Sequence, residues 1–202
     1  IEDDGPNAVA ANCDIPVLKL DESPEPYAGD GDRSTTANFA ANFNLQHGTF
    51  DYGTDGPGAV KYNLDLSEKG IGSGLYALDP SDTSASPDGI GQGAEIRLYE
   101  DANGVIHGRL TEHGADYFTI SVNSSGTVTF TQQKNIWHAN TGSDDDSQTL
   151  TLDRGEWLRL VQTLTDADGD KDSAFIDLGR GVFRIEDDGP NAVAANCDIP
   201  VL

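Results

Sequence analysis

Three observations predict an all-β protein, an antiparallel β-sandwich with long loops. Apolar and polar residues alternate with a period of two in many short segments, and residues 60–66 (VKYNLDL) do so without an error. Turn-forming residues such as Asn103-Gly104 separate successive segments, as is typical of β-hairpins. No window of helical length shows a 3.6-residue apolar repeat, so each sheet is expected to have one polar face.

The alternating segments, taken in order along the chain, predict the strands. They are residues 39–45, 60–66, 94–98, 118–122 and 128–130, followed by apolar faces at Leu158, Leu160 and Leu164 and at Ala174, Ile176 and Leu178. Valine, threonine, tyrosine and phenylalanine suit such pleated positions. The polar stretches 21–36, 79–93 and 139–148 interrupt the pattern and are expected to be loops, which in a compact domain are either functional or mobile.

The ends of the chain are identical in sequence. Residues 1–18 (IEDDGPNAVAANCDIPVL) recur letter for letter as residues 185–202, at an offset of 184 residues. The chain is therefore expected to be one full period of a tandem array plus the opening of the next copy. This divides it into residues 1–18 as inter-repeat linker and first strand, residues 19–184 as the sandwich domain, and residues 185–202 as the start of the next repeat.

One cysteine occurs per repeat, because Cys13 and Cys197 occupy equivalent positions. A bridge between them would need Cα atoms within about 7 Å although they lie one module apart. We therefore expect a free, small apolar side chain at each position. Something other than disulfides must then make the module rigid.

The charge balance is strongly acidic, with 12 Lys+Arg against 35 Asp+Glu and a net charge of −23. This excludes nucleic acid and anionic membrane surfaces as partners and favours a soluble, cation-binding protein. Disorder is the alternative for such a composition, but alternating apolar segments run throughout the chain. No apolar stretch is long enough to span a bilayer. The lack of methionine, together with a start inside the repeat, indicates a fragment of a longer parent protein.

The sharpest candidate site is the run of alternate carboxylates Asp166, Asp168, Asp170 and Asp172 around Gly169. Carboxylates at alternate positions around a glycine let several oxygens converge on one point, and calcium takes six to eight oxygen ligands. An EF-hand is excluded because the glycine is at the fourth position and the flanking segments are strands. We expect a calcium-binding hairpin loop, with a solvated acidic turn as the alternative.

A second acidic cluster marks the passage from one module to the next. Glu2, Asp3 and Asp4 precede Gly5-Pro6, and Asp187 and Asp188 precede the identical Gly-Pro in the next copy. Gly-Pro breaks regular structure, so these acids are placed to bridge modules. A solubilising linker is the equal alternative.

Topology connects the two clusters. If residues 173–185 run unbroken towards the C-terminal pole, the loop at 166–172 lies at the N-terminal pole, whereas a turn at 179–181 would reverse this. The loop would then face the acids that precede Gly5, and also Asp21 and Glu22, while the acids before the second Gly-Pro would wait for the loop of the next module. The expected metal ligands are Asp166, Asp168, Asp170, Asp172, Glu2, Asp3, Asp4, Asp187, Asp188, Asp21 and Glu22.

Several motifs follow one another in a fixed order along the chain: LDES at 20–23, DYGTDGPGAVKYNLDL at 51–66, SGL at 73–75, IWH at 136–138, and DADGDKDSAFIDLG and FRIEDDGP within 166–190. These ordered motifs resemble the repeats of giant RTX adhesins, the type I-secreted surface and biofilm proteins of Gram-negative bacteria. The resemblance implies calcium-rigidified, immunoglobulin-like β-sandwich extender modules that hold a ligand-binding tip away from the cell. The glycine-rich nonapeptides of RTX β-rolls are absent, and a 184-residue period leaves room for an elaborated loop.

Other candidate residues carry weaker signals. The histidines show no metal-ligand spacing with one another. His138, which Asp144, Asp145 and Asp146 follow, could join a site, but a polar loop is favoured. Trp137 and Trp157 are expected to pack, Ser73 lacks a nucleophile elbow, and no pair of carboxylates is singled out for glycoside hydrolysis.

The sequence therefore predicts a non-enzymatic, extracellular extender module with calcium as its cofactor and neighbouring repeats as its partners. A rival hypothesis is a ligand-binding module that takes carbohydrate or peptide at the loops 79–93 or 139–148, where repetition would supply avidity.

Overall fold

The computed structural model of the protein describes residues 4–22, 33–43, 50–85, 89–140, 143 and 146–187. Twelve strands lie in these residues. They are β1 (Leu18–Asp21), β2 (Ser34–Asn38), β3 (Pro57–Leu66), β4 (Ile71–Leu78), β5 (Gln92–Glu100), β6 (Ile106–Arg109), β7 (Phe118–Val122), β8 (Thr127–Gln132), β9 (Ser147–Thr151), β10 (Leu158–Asp166), β11 (Lys171–Asp177) and β12 (Arg180–Glu186). The predicted all-β class is confirmed. Within the described residues, no helix has the length and apolar character needed to cross a membrane.

The strands form three sheets. The largest is antiparallel with strand order β2-β8-β7-β6-β5-β4, and a second antiparallel sheet has the order β11-β10-β3. The third has the order β1-β12-β9, and its β1–β12 pair is parallel, with Leu18 opposite Phe183. The expected antiparallel architecture is confirmed for the other two sheets, β2-β8-β7-β6-β5-β4 and β11-β10-β3, and β1–β12 is a parallel pair added to it. Parallel pairing needs a long connection between the two strands, and here the whole domain lies between them.

One apolar core draws on all three sheets. Phe130 of β8 lies between Phe118 of β7 and Phe183 of β12, with ring centroids 5.5 and 5.1 Å apart in edge-to-face geometry. All three rings are fully buried. The apolar positions expected to face inward are mostly buried, among them Leu64, Ile96, Leu98, Ile120, Val128, Leu158, Leu160, Leu164, Ile176 and Leu178. The period-two pattern thus identifies the buried face of each sheet.

The strand expected at residues 39–45 is absent from the described residues, which end there at Phe43. A 3₁₀ turn occupies Ala40–Asn42. Phe39 and Phe43 flank this turn, and both are buried in the core. The apparent alternation therefore arose from a turn between two core aromatics.

The entry segment, defined as residues 4–17, packs on its own domain. The amide of Thr54 donates to the carbonyl of Asp4 at 3.0 Å, and the amide of Ala8 donates to Asp172 Oδ2 at 2.8 Å. Further on, the amide of Ala11 donates to the carbonyl of Asn42 at 2.8 Å. Residue 53 must be glycine, because its φ is +71° and a Cβ there would lie 1.7 Å from the Asp4 carbonyl oxygen.

The path of the entry segment relates two distant parts of the fold. Gly5 lies beside Asp170, at the start of β11, since a Cβ on Gly5 would be 3.8 Å from the Asp170 Cβ. The chain then continues into β1, which pairs with β12. At the end of this pairing the amide of Glu22 donates to the carbonyl of Glu186 at 3.0 Å. Asp170 and Glu22 therefore lie at opposite ends of this path.

Candidate cation sites

The residues able to hold a cation form two separate groups in the described part of the chain. Asp55, Asp166 and Asp168 form the first, called here the carboxylate site, and Glu22, His138 and Asp187 form the second, called here the histidine site. In each group, one ligand atom from every residue lies within 4.8 Å of the others.

Strand pairing assembles the carboxylate site. Asp166 ends β10 opposite Pro57 of β3, and a register shift after Thr165 turns the end of β10 towards the residues before β3. The amide of Ala167 donates to the carbonyl of Gly56 at 3.1 Å, which brings the neighbouring Asp55 to the β10–β11 turn. Asp55 was not among the expected ligands, because it lies in a different turn, far along the sequence from the acidic loop at 166–172.

Asp166 is the buried member of the carboxylate site, with 3% of its surface exposed. Its Oδ1 accepts hydrogen bonds from the amides of Gly169 and Asp170 at 2.9 and 2.8 Å. Its Oδ2 is buried and has no hydrogen-bond partner among the described residues. A buried carboxylate oxygen in this state is destabilising unless a proton or a cation satisfies it.

The electrostatics of the site favour a positive charge. Burial raises the pKa of Asp166, but hydrogen bonds from Asp168 and from backbone amides outweigh burial and bring that pKa below its ordinary value. The hydrogen bond to Asp166 raises the pKa of Asp168, and burial and the negative charge of Asp166 add to the rise. The two carboxyl groups therefore compete for one proton, and a divalent cation between them would remove the conflict.

The neighbouring acids Asp170 and Asp172 lie against the entry segment and are not members of the carboxylate site. Asp172 accepts the amide of Ala8, and Asp170 lies against Gly5. The Asp4 carboxylate is not part of the group of three, although the Asp4 backbone lies beside the turn. Glu2, Asp3 and Asp188, also expected as ligands, lie outside the described residues.

The histidine site lies where β1 and β12 end. Glu22 follows β1 and is 4% exposed; its Oε1 accepts the amide of Ile136 at 2.9 Å and the side-chain amide of Gln132. Its Oε2 lies 3.7 Å from Nε2 of His138, which is 8% exposed. Asp187 follows β12, and its amide donates to the carbonyl of Asp146 at 2.9 Å.

His138 is surrounded by acids but makes no hydrogen bond within the described residues through either ring nitrogen. Burial lowers the pKa of His138, but its interaction with Glu22 and the negative charges of Asp187 and Asp146 outweigh burial and raise it above the ordinary histidine value. The side-chain oxygen of Gln132 is likewise buried without a partner. The site therefore favours a positive charge at or beside the imidazole.

Asp146 lies near the histidine site and accepts hydrogen bonds from the residues around it. Its Oδ2 accepts the amide of Asn140 at 3.1 Å and the side-chain amide of Gln148 at 2.9 Å. Burial raises its pKa, but these hydrogen bonds and the nearby His138 outweigh burial and lower it. The carboxylate thus orders the described ends of the segment that leads into β9.

Two expectations are wrong here. Asp21 and Glu22 were expected beside the 166–172 loop, but Asp21 pairs with Glu186 in the β1–β12 ladder and Glu22 lies in the histidine site. The cause is the parallel β1–β12 pairing, which brings the residues after each strand side by side. His138 was favoured for a polar loop and is buried. Asp187 was expected to meet the loop of the next module; within its own module it lies beside Glu22 and His138, and its role towards a following module stays a prediction.

Other sequence candidates have packing roles. The Ser73 hydroxyl is buried and donates to the carbonyl of Ile96 at 2.6 Å. The indole of Trp157 donates to Asp65 at 2.8 Å and stacks with Arg159, and the indole of Trp137 donates to the carbonyl of Ile90 at 2.9 Å. Cys13 is exposed and carries a free thiol.

Comparison with known protein families places most of the chain in a family. The family DUF5801, a domain of unknown function, matches residues 17–179. The chain belongs to the DUF5801 family. The match covers β1 to β11 and contains all the residues of both sites except Asp187. Comparison with curated proteins and with solved structures gave no match.

Proposed function

We propose that this DUF5801 chain is a calcium-rigidified structural extender module, repeated in series in a bacterial cell-surface adhesin. The observation that carries the proposal is the docking of the entry segment beside the carboxylate site. Thr54, next to Asp55, binds the backbone of Asp4, and Asp172 at the start of β11 binds the amide of Ala8. A cation at this site would therefore stabilise the loops that hold the incoming chain.

Calcium is the ion that the carboxylate site favours. All three side chains offer only hard oxygen ligands, and main-chain carbonyls and water can supply the remainder of a coordination shell of six to eight. Asp166 Oδ2 is already buried and unpartnered, so an ion that binds there does not add a further cost for removing water from this oxygen. Extracellular calcium modules bind with Kd of roughly 10⁻⁴–10⁻³ M. At about 100-fold above Kd, one site adds about 2.7 kcal/mol of stability.

The repeat leaves little free chain between modules. Because residues 185–202 repeat residues 1–18, Asp188 is equivalent to Asp4. The amide of Asp187 is bound within its own module, and the residue equivalent to Asp4 is expected to be bound by Thr54 of the following module. The adjacent residues Asp187 and Asp188 would thus be bound by two successive modules. A joint of this kind supports extension more than flexibility.

Calcium titration of the single chain by calorimetry, after removal of metal, tests the proposal. We expect saturable binding that raises the melting temperature, and Asp166→Asn is expected to abolish both. Glu68→Gln removes an acid from an exposed turn and is the matched control, with binding as in the wild type. Calcium binding that Glu68→Gln and Asp166→Asn weaken equally would be a diffuse charge effect and would reject this site.

A further inference from the structure

We propose that Glu22, His138 and Asp187 bind a transition-metal ion of the zinc class, at a site separate from the carboxylate site. This metal binding does not depend on the extender function. It rests on the buried histidine, the surrounding ligands and their arrangement at the chain exit.

The first argument is the unsatisfied state of the imidazole. His138 is more than nine-tenths buried, and neither ring nitrogen has a hydrogen-bond partner among the described residues. Its Nε2 points at Glu22 Oε2 across 3.7 Å, a distance that fits an ion pair but is too long for a hydrogen bond. Leaving a buried polar group unpaired destabilises the folded protein. A metal ion between these two atoms would satisfy both.

The second argument is ligand geometry. The ligand atoms of the three residues lie within 4.8 Å of one another. Ligands 2.0–2.2 Å from a tetrahedral zinc ion are about 3.4 Å apart, so side-chain movements of about 1 Å would assemble the site. Three protein ligands leave a fourth position for water.

The third argument is the identity of the ligands. Calcium takes oxygen ligands, whereas an imidazole nitrogen together with two carboxylates suits zinc and its neighbours in the first transition row. The two sites therefore differ in ligand type, because only the histidine site offers a nitrogen ligand, the imidazole of His138. Calcium is expected to prefer Asp55, Asp166 and Asp168, and zinc is expected to prefer the site that contains His138.

The supporting residues orient two of the ligands. Ile136 and Gln132 occupy Oε1 of Glu22 and leave Oε2 directed at the histidine. The carbonyl of Asp146 accepts the amide of Asp187 and fixes the backbone of that ligand. Partners of this kind preserve ligand geometry and commonly change metal affinity by 10–100-fold when they are removed.

Bound metal would fasten the end of the module. Glu22 and His138 belong to the body of the domain, whereas Asp187 is the last residue that the structure describes. An ion held by all three would fix the direction in which the chain leaves. Only this mechanical consequence depends on the proposed extender function.

The test is a titration of the metal-free full chain with Zn²⁺ in about 10 mM calcium, which saturates the carboxylate site. We expect one equivalent of zinc to bind, and Co²⁺ in its place to give the strong visible absorption of a tetrahedral site. Asp187→Asn, at the chain exit, is expected to weaken binding at least about tenfold without loss of fold, and His138→Gln to abolish it. Asp166→Asn is the control and is expected to keep zinc binding while it loses calcium binding.

Zinc that fails to bind the folded wild type below about 1 mM would overturn the proposal and indicate a histidine that holds a proton instead. So would zinc binding that Asp187→Asn leaves unchanged while Asp166→Asn removes it. Circular dichroism of each variant separates loss of the site from loss of the fold. Failure of zinc binding with calcium binding intact would leave the extender proposal standing, and the reverse result would leave the zinc site standing.

Discussion

The carbonyl of Asp4 accepts the amide of Thr54 at 3.0 Å, so the chain is attached to its module fourteen residues before the first strand begins at Leu18. This attachment lies next to Asp55 of the carboxylate site. At the other end of the path, Glu22 and Asp187 meet at His138. Each end of the module thus joins a stretch of connecting chain to a candidate cation site, which leads to the following predictions.

Gly53→Ala is expected to release the entry segment. The new methyl group would lie 1.7 Å from the Asp4 carbonyl oxygen, and the residue would keep a φ of +71°. Gly104 has a similar φ of +76° with open space around it, so Gly104→Ala is the control for backbone strain alone, at about 1–2 kcal/mol. We expect Gly53→Ala to cost more than the control and to remove hydrogen-exchange protection at the amides of Ala8 and Ala11. Equal cost and unchanged protection would contradict the packing described for residues 4–11.

Phe183→Ala is expected to be among the most destabilising core substitutions, at about 3–5 kcal/mol. Phe183 is fully buried and its ring meets that of Phe130, which joins two sheets. Phe175→Ala is the matched control, since Phe175 is 45% exposed and mainly covers Arg159, an interaction of about 1 kcal/mol. Urea unfolding of the two variants measures the difference, and similar losses would contradict the proposed core.

Asp101 is expected to contribute a pH-dependent part of the stability. Hydrogen bonds from the amide of Val105, and from the backbone and side chain of Asn103, outweigh a small effect of burial and lower the pKa of Asp101. A carboxyl whose pKa is lower in the folded state stabilises the fold above its unfolded pKa, near 3.9, and this stability is lost as pH falls through the folded pKa. The difference in unfolding free energy between wild type and Asp101→Asn should shrink as the solution is acidified. A difference that stays constant would contradict this assignment.

The effect of Asp166→Asn on the melting temperature is expected to have opposite signs with and without calcium. Without calcium the substitution removes the partner that raises the pKa of Asp168, so repulsion in the turn is relieved and that pKa falls towards its ordinary value. With calcium it removes the buried ligand. The melting temperature of the variant should therefore equal or exceed that of the wild type in chelator and fall below it in calcium. A variant less stable by the same amount in both conditions would show a structural role alone.

The parts of the fold that are local in sequence were predictable. The β10–β11 hairpin and its acidic turn form one continuous stretch of chain from Leu158 to Asp177, and the alternation in β3 and β10 shows their buried faces directly. The stretch 21–36 was less informative, because β2 (Ser34–Asn38) carries only small polar residues and alanine at the edge of its sheet. A strand of that composition has no apolar face from which to recognise it.

The candidate sites were predictable only in part, because they depend on non-local pairing. Asp166 and Asp168 follow from the acidic turn, but Asp55 joins them only through the β3–β10 register. The histidine site brings Glu22 to His138 and Asp187, which both follow it by more than a hundred positions along the chain, and depends on the parallel β1–β12 pairing. The one local sign was a histidine directly after Ile136 and Trp137, in a segment apolar enough to enter the core.

The central claim is that calcium stiffens the joint between modules, and small-angle scattering from a two-repeat protein tests it most directly. In calcium the account predicts an elongated particle with a single, well-defined length. In chelator it predicts a broader and shorter distribution of distances, and Asp166→Asn in both repeats should reproduce that distribution even in calcium. Identical scattering in calcium and chelator would contradict the account.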